Sequence, residues 1–327
     1  MDPFIPVGKA RFLFYLDKVD HLLETASSSA NPAQQLYQQD LRTPLFMLEA
    51  LSRLYKKIYD HKKLKKLNTI FKDLEDALGQ IDYYDAFQKD FSQKKNIPGE
   101  ITHYLKEKTE EKTGKLNHYL KEEKWIGKHP KRLSKIKKDL DDVDWFDEKN
   151  DGQAILAVYK KEIKKVIKEF KRKEIHFDNI ENDVHELRRE LRWLSIYPQA
   201  LCGLMQLKEN QEPPFYLKKY LTEEIVHSAF NVMPDGSGLS DHIFLNDQYF
   251  YALSWMIAAL GKLKDSGLKV EILKESIAEV YKTDEDVEQL VYSICDENQP
   301  TIAEILAQSQ KIVTTFFEED ILENLVA

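Results

Sequence analysis

VHELRRELRWL, residues 184–194, decides how this chain is read. At about 100° per residue, His185, Arg188, Arg189 and Arg192 fall within about 100° of one another on a helix. Val184, Leu187, Leu191 and Leu194 take the opposite side. The spacing therefore predicts a helix that packs on one face and presents cations on the other. Guanidinium groups stay charged and donate two parallel hydrogen bonds, a geometry suited to phosphate oxygens. The stripe alone supports two readings. It is a polyanion-binding surface, or a solvated face whose arginines pair with Glu186, Glu190 and acids on neighbouring helices.

The rest of the chain fits a helical setting. Its 327 residues are 42% apolar with only 11 Gly and 11 Pro, and apolar residues recur at helical spacing through most of the length. An all-α fold is expected. MDPFIPVGKARF lacks a basic region followed by an apolar core, and no run reaches the length that spans a bilayer, so a cytoplasmic protein with no membrane association is expected. Cys202 and Cys295 sit in apolar-periodic segments and form no CxxC, the pattern of reduced core thiols.

Net charge is −8, but it is unevenly spread. Residues 209–327 hold 8 Lys and no Arg against 22 acids, about −14, which leaves about +6 for residues 1–208. The basic half includes KKIYDHKKLKK (56–66), a lysine-dense region at 105–138 and YKKEIKKVIKEFKRK (159–173). An anionic partner should meet this half.

Apolar periodicity and breakers predict helices over 9–26, from Pro32 or Pro44 to Lys57, 62–91 with a perturbation at Gly79 and Asp82 to Asp85, 100–124, 130–140, 151–172 and 181–208. QEPPF (211–215) and MPDGSGLSD (233–241) punctuate the stretch beyond 208, before helices near 247–265, 269–281, 284–294 and 300–324. Strand-like alternation is almost absent.

Two short motifs recur in the same order. Gln39-Asp40-Leu41-Arg42 lies 146 residues before His185-Glu186-Leu187-Arg188, and Ala77-Leu78-Gly79-Gln80-Ile81-Asp82 lies 182 residues before Ala259-Leu260-Gly261-Lys262-Leu263-Lys264. Ordered recurrence predicts an internal duplication with an insertion in the later copy, between PPFYL and LSDHIF. The expected organisation is an N-terminal helix and linker (1–35), a first half (36–180) and an enlarged second half (181–327).

At these residues the chain resembles the CHAD family, the conserved histidine α-helical domain. Its members carry HxxRxxxRRxR on one helix of each half and LGxxRDxD near the end of a second. His185, Arg188 and Arg192 match the first pattern at its first, fourth and eighth positions, and Trp193 and Ser195 stand where further arginines would be. In the first half Arg42 matches, while Gln39 replaces the histidine and Phe46, Met47 and Glu49 replace the later arginines. Leu78, Gly79 and Asp85 match the second pattern, as do Leu260, Gly261 and Asp265. The resemblance covers about residues 36–327 and implies two pseudo-symmetric helical halves with a basic channel that, in several members, binds inorganic polyphosphate.

It also implies a site. His185, Arg188 and Arg192 would contact phosphate oxygens, Arg42 would face them from the first half, and Arg189 would assist. Lysines such as Lys62, Lys63 and Lys66 would add secondary charge, or simply be solvated. His185 has its own second reading, as a core histidine bonded to a carbonyl or carboxylate.

Glu100/His103 and Glu224/His227 form two ExxH pairs, a spacing used by di-iron bundles, but Glu100 follows Pro98-Gly99 in a first helical turn, where glutamate is favoured as N-terminal charge. GxxxxGK[ST], GxSxG and zinc-type clusters do not occur. The expectation is a non-enzymatic binder of polyphosphate or another phosphorylated polyanion, with no catalytic residue, metal or cofactor. The competing expectation, from a different class, is a scaffold whose arginine stripe is paired internally with acids such as Asp265 and whose acidic C-terminal half binds a protein partner.

Overall fold

Asn31 and Pro32 settle where the second helix begins. The Asn31 side chain accepts from the Gln34 N–H at 3.3 Å, and Pro32, which has no N–H to leave unsatisfied, takes the first helical position. The segment predicted to start at Pro32 or Pro44 is therefore two helices, α2 (Pro32–Gln38) and α3 (Arg42–Tyr59), following α1 (Val7–Ser27). Asp40, with φ of 54°, turns the chain between them, and Pro44 lies in the first turn of α3, where it costs no hydrogen bond.

A computed structural model describes residues 5–59, 61–172, 176–209, 212–282, 287–295 and 299–327. The chain continues through α4 (Lys62–Ser92), α5 (Gly99–Glu122), α6 (Arg132–Asp141) and α7 (Glu148–Arg172). A π-helical turn (Ile180–His185) leads into α8 (Glu186–Ala200). Beyond it come β1 (Met205–Lys208), α9 (Glu223–Val226), β2 (Ile243–Asn246), α10 (Asp247–Tyr281), α11 (Val287–Ile294) and α12 (Ile302–Glu318), with 3₁₀ turns at Phe215–Leu217 and Ala229–Asn231. The fold is all-α, as the periodicity predicts.

Three local expectations are corrected. The helix predicted over 181–208 ends at Ala200, because Cys202 and Gly203 both take positive φ; Met205–Lys208 then pairs in parallel with Ile243–Asn246. A Cβ on Gly203 would stand 2.4 Å from the Asp235 carbonyl, so the turn requires glycine. The two helices predicted over 247–281 are one. Gly267 is not a breaker but a close-approach site, where a Cβ would lie 2.9 Å from the Ile180 side chain. Likewise α4 runs unbroken through Gly79 and Asp82 to Asp85.

α3 lies at the centre, packed against α1, α4, α7 and α8, while α10 packs on α8 and α12. One apolar core runs from Phe12 and Leu16 of α1 through Leu51 and Leu54 of α3 to Leu194, Leu253 and Phe316, so the N-terminal helix is built into the same core as both expected halves. A second core joins Phe91, Ile101 and Leu105 to Leu273, Ile277 and Val291. Val184, Leu191 and Leu194 are buried and Leu187 is half-buried, which sets the apolar side of the α8 stripe inward as expected.

A charged network sits inside the first core. Arg11 is fully buried; its Nη1 donates to Asp151 Oδ2 and to Tyr55 Oη, each at 2.5 Å, and its Nε donates to the Leu201 carbonyl at 3.1 Å. Tyr55 in turn donates to Asp151. Burial opposes the Arg11 charge, but Tyr55 and Asp151 more than offset it and hold its pKa above the usual arginine range. Among the described residues, Cys202 is half-buried and Cys295 buried, and no helix is long and apolar enough to cross a membrane.

Candidate anion-binding site

The π turn sets the stripe. Asn179 caps it by accepting from the Asn182 N–H at 2.8 Å, and Asp183 Oδ2 accepts from the Asp178 and Asn179 N–H groups, both at 2.9 Å. His185 closes the turn, half-buried, with Nδ1 out of contact with solvent and without a hydrogen-bond partner, and with Nε2 3.9 Å from Glu181. Burial lowers its pKa; Glu181 opposes this, and Lys264, Arg188 and Arg189 add to it.

The three arginines of α8 meet different surroundings. Arg188 donates from Nε to the Ile257 carbonyl at 3.1 Å and lies flat against Gly261 of α10, where a Cβ would stand 3.0 Å from Nε. Burial lowers its pKa against the pull of Asp265, whose own ion pair is with Lys264 at 2.9 Å. Arg189 is exposed and bound to Glu186 at 2.6 Å, away from the others. Arg192 stacks its guanidinium on the Phe46 ring, 4.2 Å from the centroid. Among the described residues no carboxylate lies within 4.0 Å of Arg192 or Arg188. Burial, Arg188 and Arg42 push the Arg192 pKa down to about 10, with Glu75 and Glu49 opposing.

Arg42 joins this group from α3. Its guanidinium lies 5.5 Å from the same Phe46 ring, so one aromatic side chain carries two cations. Unlike Arg192, it is paired: Nε and Nη2 donate to Glu75 Oε1 at 2.9 and 2.7 Å, and Nη1 donates to Asp82 Oδ2 at 2.5 Å. It rests against Gly79, where a Cβ would be 3.1 Å from Nη2. Arg42 on Gly79 and Arg188 on Gly261 are the same contact made by the two recurring motifs.

Buried carboxylates temper the charge. Glu75 is raised by burial, with Arg42 pulling it back, and Glu49 is pushed up to about 7 by burial despite Arg53. Arg53, 3.8 Å from Glu49 and 3.9 Å from Glu190, stacks on Trp193 at 4.4 Å and donates to Tyr197 Oη at 3.3 Å.

Arg188, Arg192 and Arg42 are thus brought into one electrostatic neighbourhood with His185 beside Arg188, whereas Arg189 reaches only His185 and is exposed and paired with Glu186. The secondary lysines stand apart: Lys63 is held by Asp139 of α6 and by Asp142 at its C-terminal cap, and Lys62 and Lys66 are exposed. Lys63 and Glu75 are twelve residues apart on α4, about 18 Å along its axis. Phe46, Glu49, Arg53, Glu75 and Trp193 belong to the site but were not among the expected contacts. Their signal was present: 42, 46, 49 and 53 follow helical spacing on one face of α3. Phe46 and Trp193 read as lost arginines, yet each carries a guanidinium supplied by the other helix.

His103 lies near Glu107 and His227 near Glu223 rather than converging, and no group of three His, Cys, Asp or Glu side chains among the described residues is set to hold a metal ion. The chain matches no protein-family model, no curated protein and no solved structure.

Proposed function

We propose that this protein binds a phosphorylated polyanion, inorganic polyphosphate foremost, at the arginine cluster where α3, α8 and α10 meet, as a binder and not an enzyme. Arg192 carries the reading. It is half-buried, unpaired by any carboxylate among the described residues, and crowded by Arg188 and Arg42, so a bound anion supplies the partner it lacks. Arg188 and His185 complete the contact from α8, with Arg42 at its edge.

Contacts between equivalent motif positions support the CHAD-like reading. Phe46 and Arg192 occupy equivalent motif positions and touch each other, as equivalent positions do across a two-fold axis. Arg42 with Gly79 and Arg188 with Gly261 are corresponding contacts at equivalent positions of the two recurring motifs. A duplication whose two arginine helices cross at this point accounts for all three contacts.

Binding of labelled long-chain polyphosphate, followed by fluorescence anisotropy at two salt concentrations with single-stranded RNA as control, tests the proposal. Polyphosphate should bind in preference to RNA and weaken steeply with salt through counterion release. R188A/R192A should weaken binding by about tenfold or more and lower the salt slope by roughly 1 to 2. Unchanged affinity in that variant removes the site.

The scaffold reading is favoured by a different observation. Arg42 and Arg189 are already paired with acids, and the acidic half exposes Phe215, Phe230, Val232 and Phe244, with Phe215 89% accessible. Absence of polyanion binding at low salt selects it.

A further inference from the structure

We propose a second anion site, separate from the arginine cluster, in which Lys56, Lys57, Lys65 and Lys161 take a compact, multiply charged phosphate such as inorganic triphosphate. These four side chains line an open cavity of about 460 Å³, and none of its lining side chains among the described residues is acidic. They come from the end of α3, the first turn of α4 and α7, so the cavity is where the basic stretches 56–66 and 159–173 meet.

Two of these ammonium groups, those of Lys56 and Lys161, meet no carboxylate within 4.0 Å among the described residues. Lys57 pairs with Glu162 at 2.5 Å, while the Lys56 ammonium donates to a neutral group, the Asn68 side-chain oxygen. The amide nitrogen of that Asn68 is itself buried without a partner. Lys161 is exposed. Burial foremost, then Arg53 and Lys57, act against the charge on Lys56, with Glu49 and Glu162 opposing. A polyvalent anion offsets what acts against that charge, and ammonium groups suit it as compact, freely rotating point charges on flexible stems.

The site is distinct from the arginine cluster by distance. Phe46, under Arg192, and Lys57 are eleven residues apart on α3, about 16 Å along its axis. Arg53 lies between them, so the two sites flank one cationic face of α3.

Isothermal titration calorimetry of the full chain with inorganic triphosphate at low salt tests the proposal. K65Q/K161Q changes two exposed lysines and should preserve the circular-dichroism melt while weakening triphosphate about tenfold. K161E should weaken it at least as much. K62Q/K66Q, which removes two exposed lysines outside the cavity, and R188A/R192A should leave triphosphate affinity within about twofold. The proposal is overturned if wild-type protein does not bind triphosphate, if K65Q/K161Q binds it unchanged, or if K62Q/K66Q loses as much. Loss confined to R188A/R192A assigns triphosphate to the arginine cluster and also overturns it. The fate of the arginine-cluster reading is read separately, from long-chain polyphosphate in R188A/R192A.

Discussion

Arg188 lies against the bare backbone of Gly261, its Nε 3.0 Å from where a Cβ would project, and is tied there by its bond to the Ile257 carbonyl. Gly261→Ala must push the guanidinium by a few tenths of an ångström and strain that bond. The helix gains roughly 1 kcal/mol from replacing an interior glycine, and the strained hydrogen bond gives back about as much. Stability should stay within about 1 kcal/mol of wild type by urea denaturation. Polyphosphate affinity, measured by anisotropy, should fall several-fold. An unchanged affinity would mean that Arg188 is not a contact.

Glu75 holds Arg42 back from the proposed anion. It is buried, its oxygen accepts two bonds from Arg42, and its charge faces Arg192 as well. Glu75→Gln keeps an acceptor for Arg42 and removes the charge. Polyphosphate should then bind more tightly by roughly 1 kcal/mol, about fivefold. The scaffold reading expects no such gain, so titration of this one variant separates the two.

Binding should take up protons. His185 has a lowered pKa and so stays neutral in the free protein near neutral pH, and an anion beside it favours the imidazolium. Glu49, pushed up to about 7, opposes an anion only once it ionises. Both effects strengthen binding as the pH falls from about 8 to 6, and H185Q or E49Q should each flatten the affinity profile. Folding stability carries the signs of the same groups. Between its ordinary 4.5 and about 7, folded protein holds a proton on Glu49 that unfolded chain releases, so stability falls as pH rises through that window. E49Q should remove that decline in denaturation midpoints measured across it. His185 works the other way, costing stability as the pH drops below its ordinary range near 6.5.

The Arg11–Asp151 pair should be the most sensitive point for stability. Both side chains are buried, 0% and 1% exposed, and they tie α1 to α7 and, through Tyr55, to α3. Asp151→Ala leaves a buried guanidinium without its carboxylate and should cost about 3–5 kcal/mol. Joint replacement of Arg11 by Met and Asp151 by Leu should cost far less, because no uncompensated charge remains. Urea midpoints for the two variants check the difference.

The all-α fold was legible because helical periodicity is local: which residues share a face depends only on spacings of three and four. The buried side of 184–194 comes from that spacing alone, and so does the basic character of residues 1–208 from composition. The extent of each helix was less legible. Gly267 reads as a breaker until Ile180 is seen against it, and Met205–Lys208 reads as helix until Gly203 turns and β2 arrives from about forty residues on.

The division of labour among the arginines was decided by tertiary structure. By type and spacing Arg188, Arg189 and Arg192 are interchangeable on the stripe, yet Arg189 has Glu186 on its own helix, Arg188 has the α10 backbone, and Arg192 has an aromatic ring from α3 and no carboxylate partner among the described residues. The four lysines around the cavity come from two basic stretches, 56–66 and 159–173, and no local pattern says that the two meet. Residue type and helical spacing determined what chemistry each face can offer. Which charges are already neutralised depends on helices brought together from distant parts of the chain, and only the packed fold contains that information.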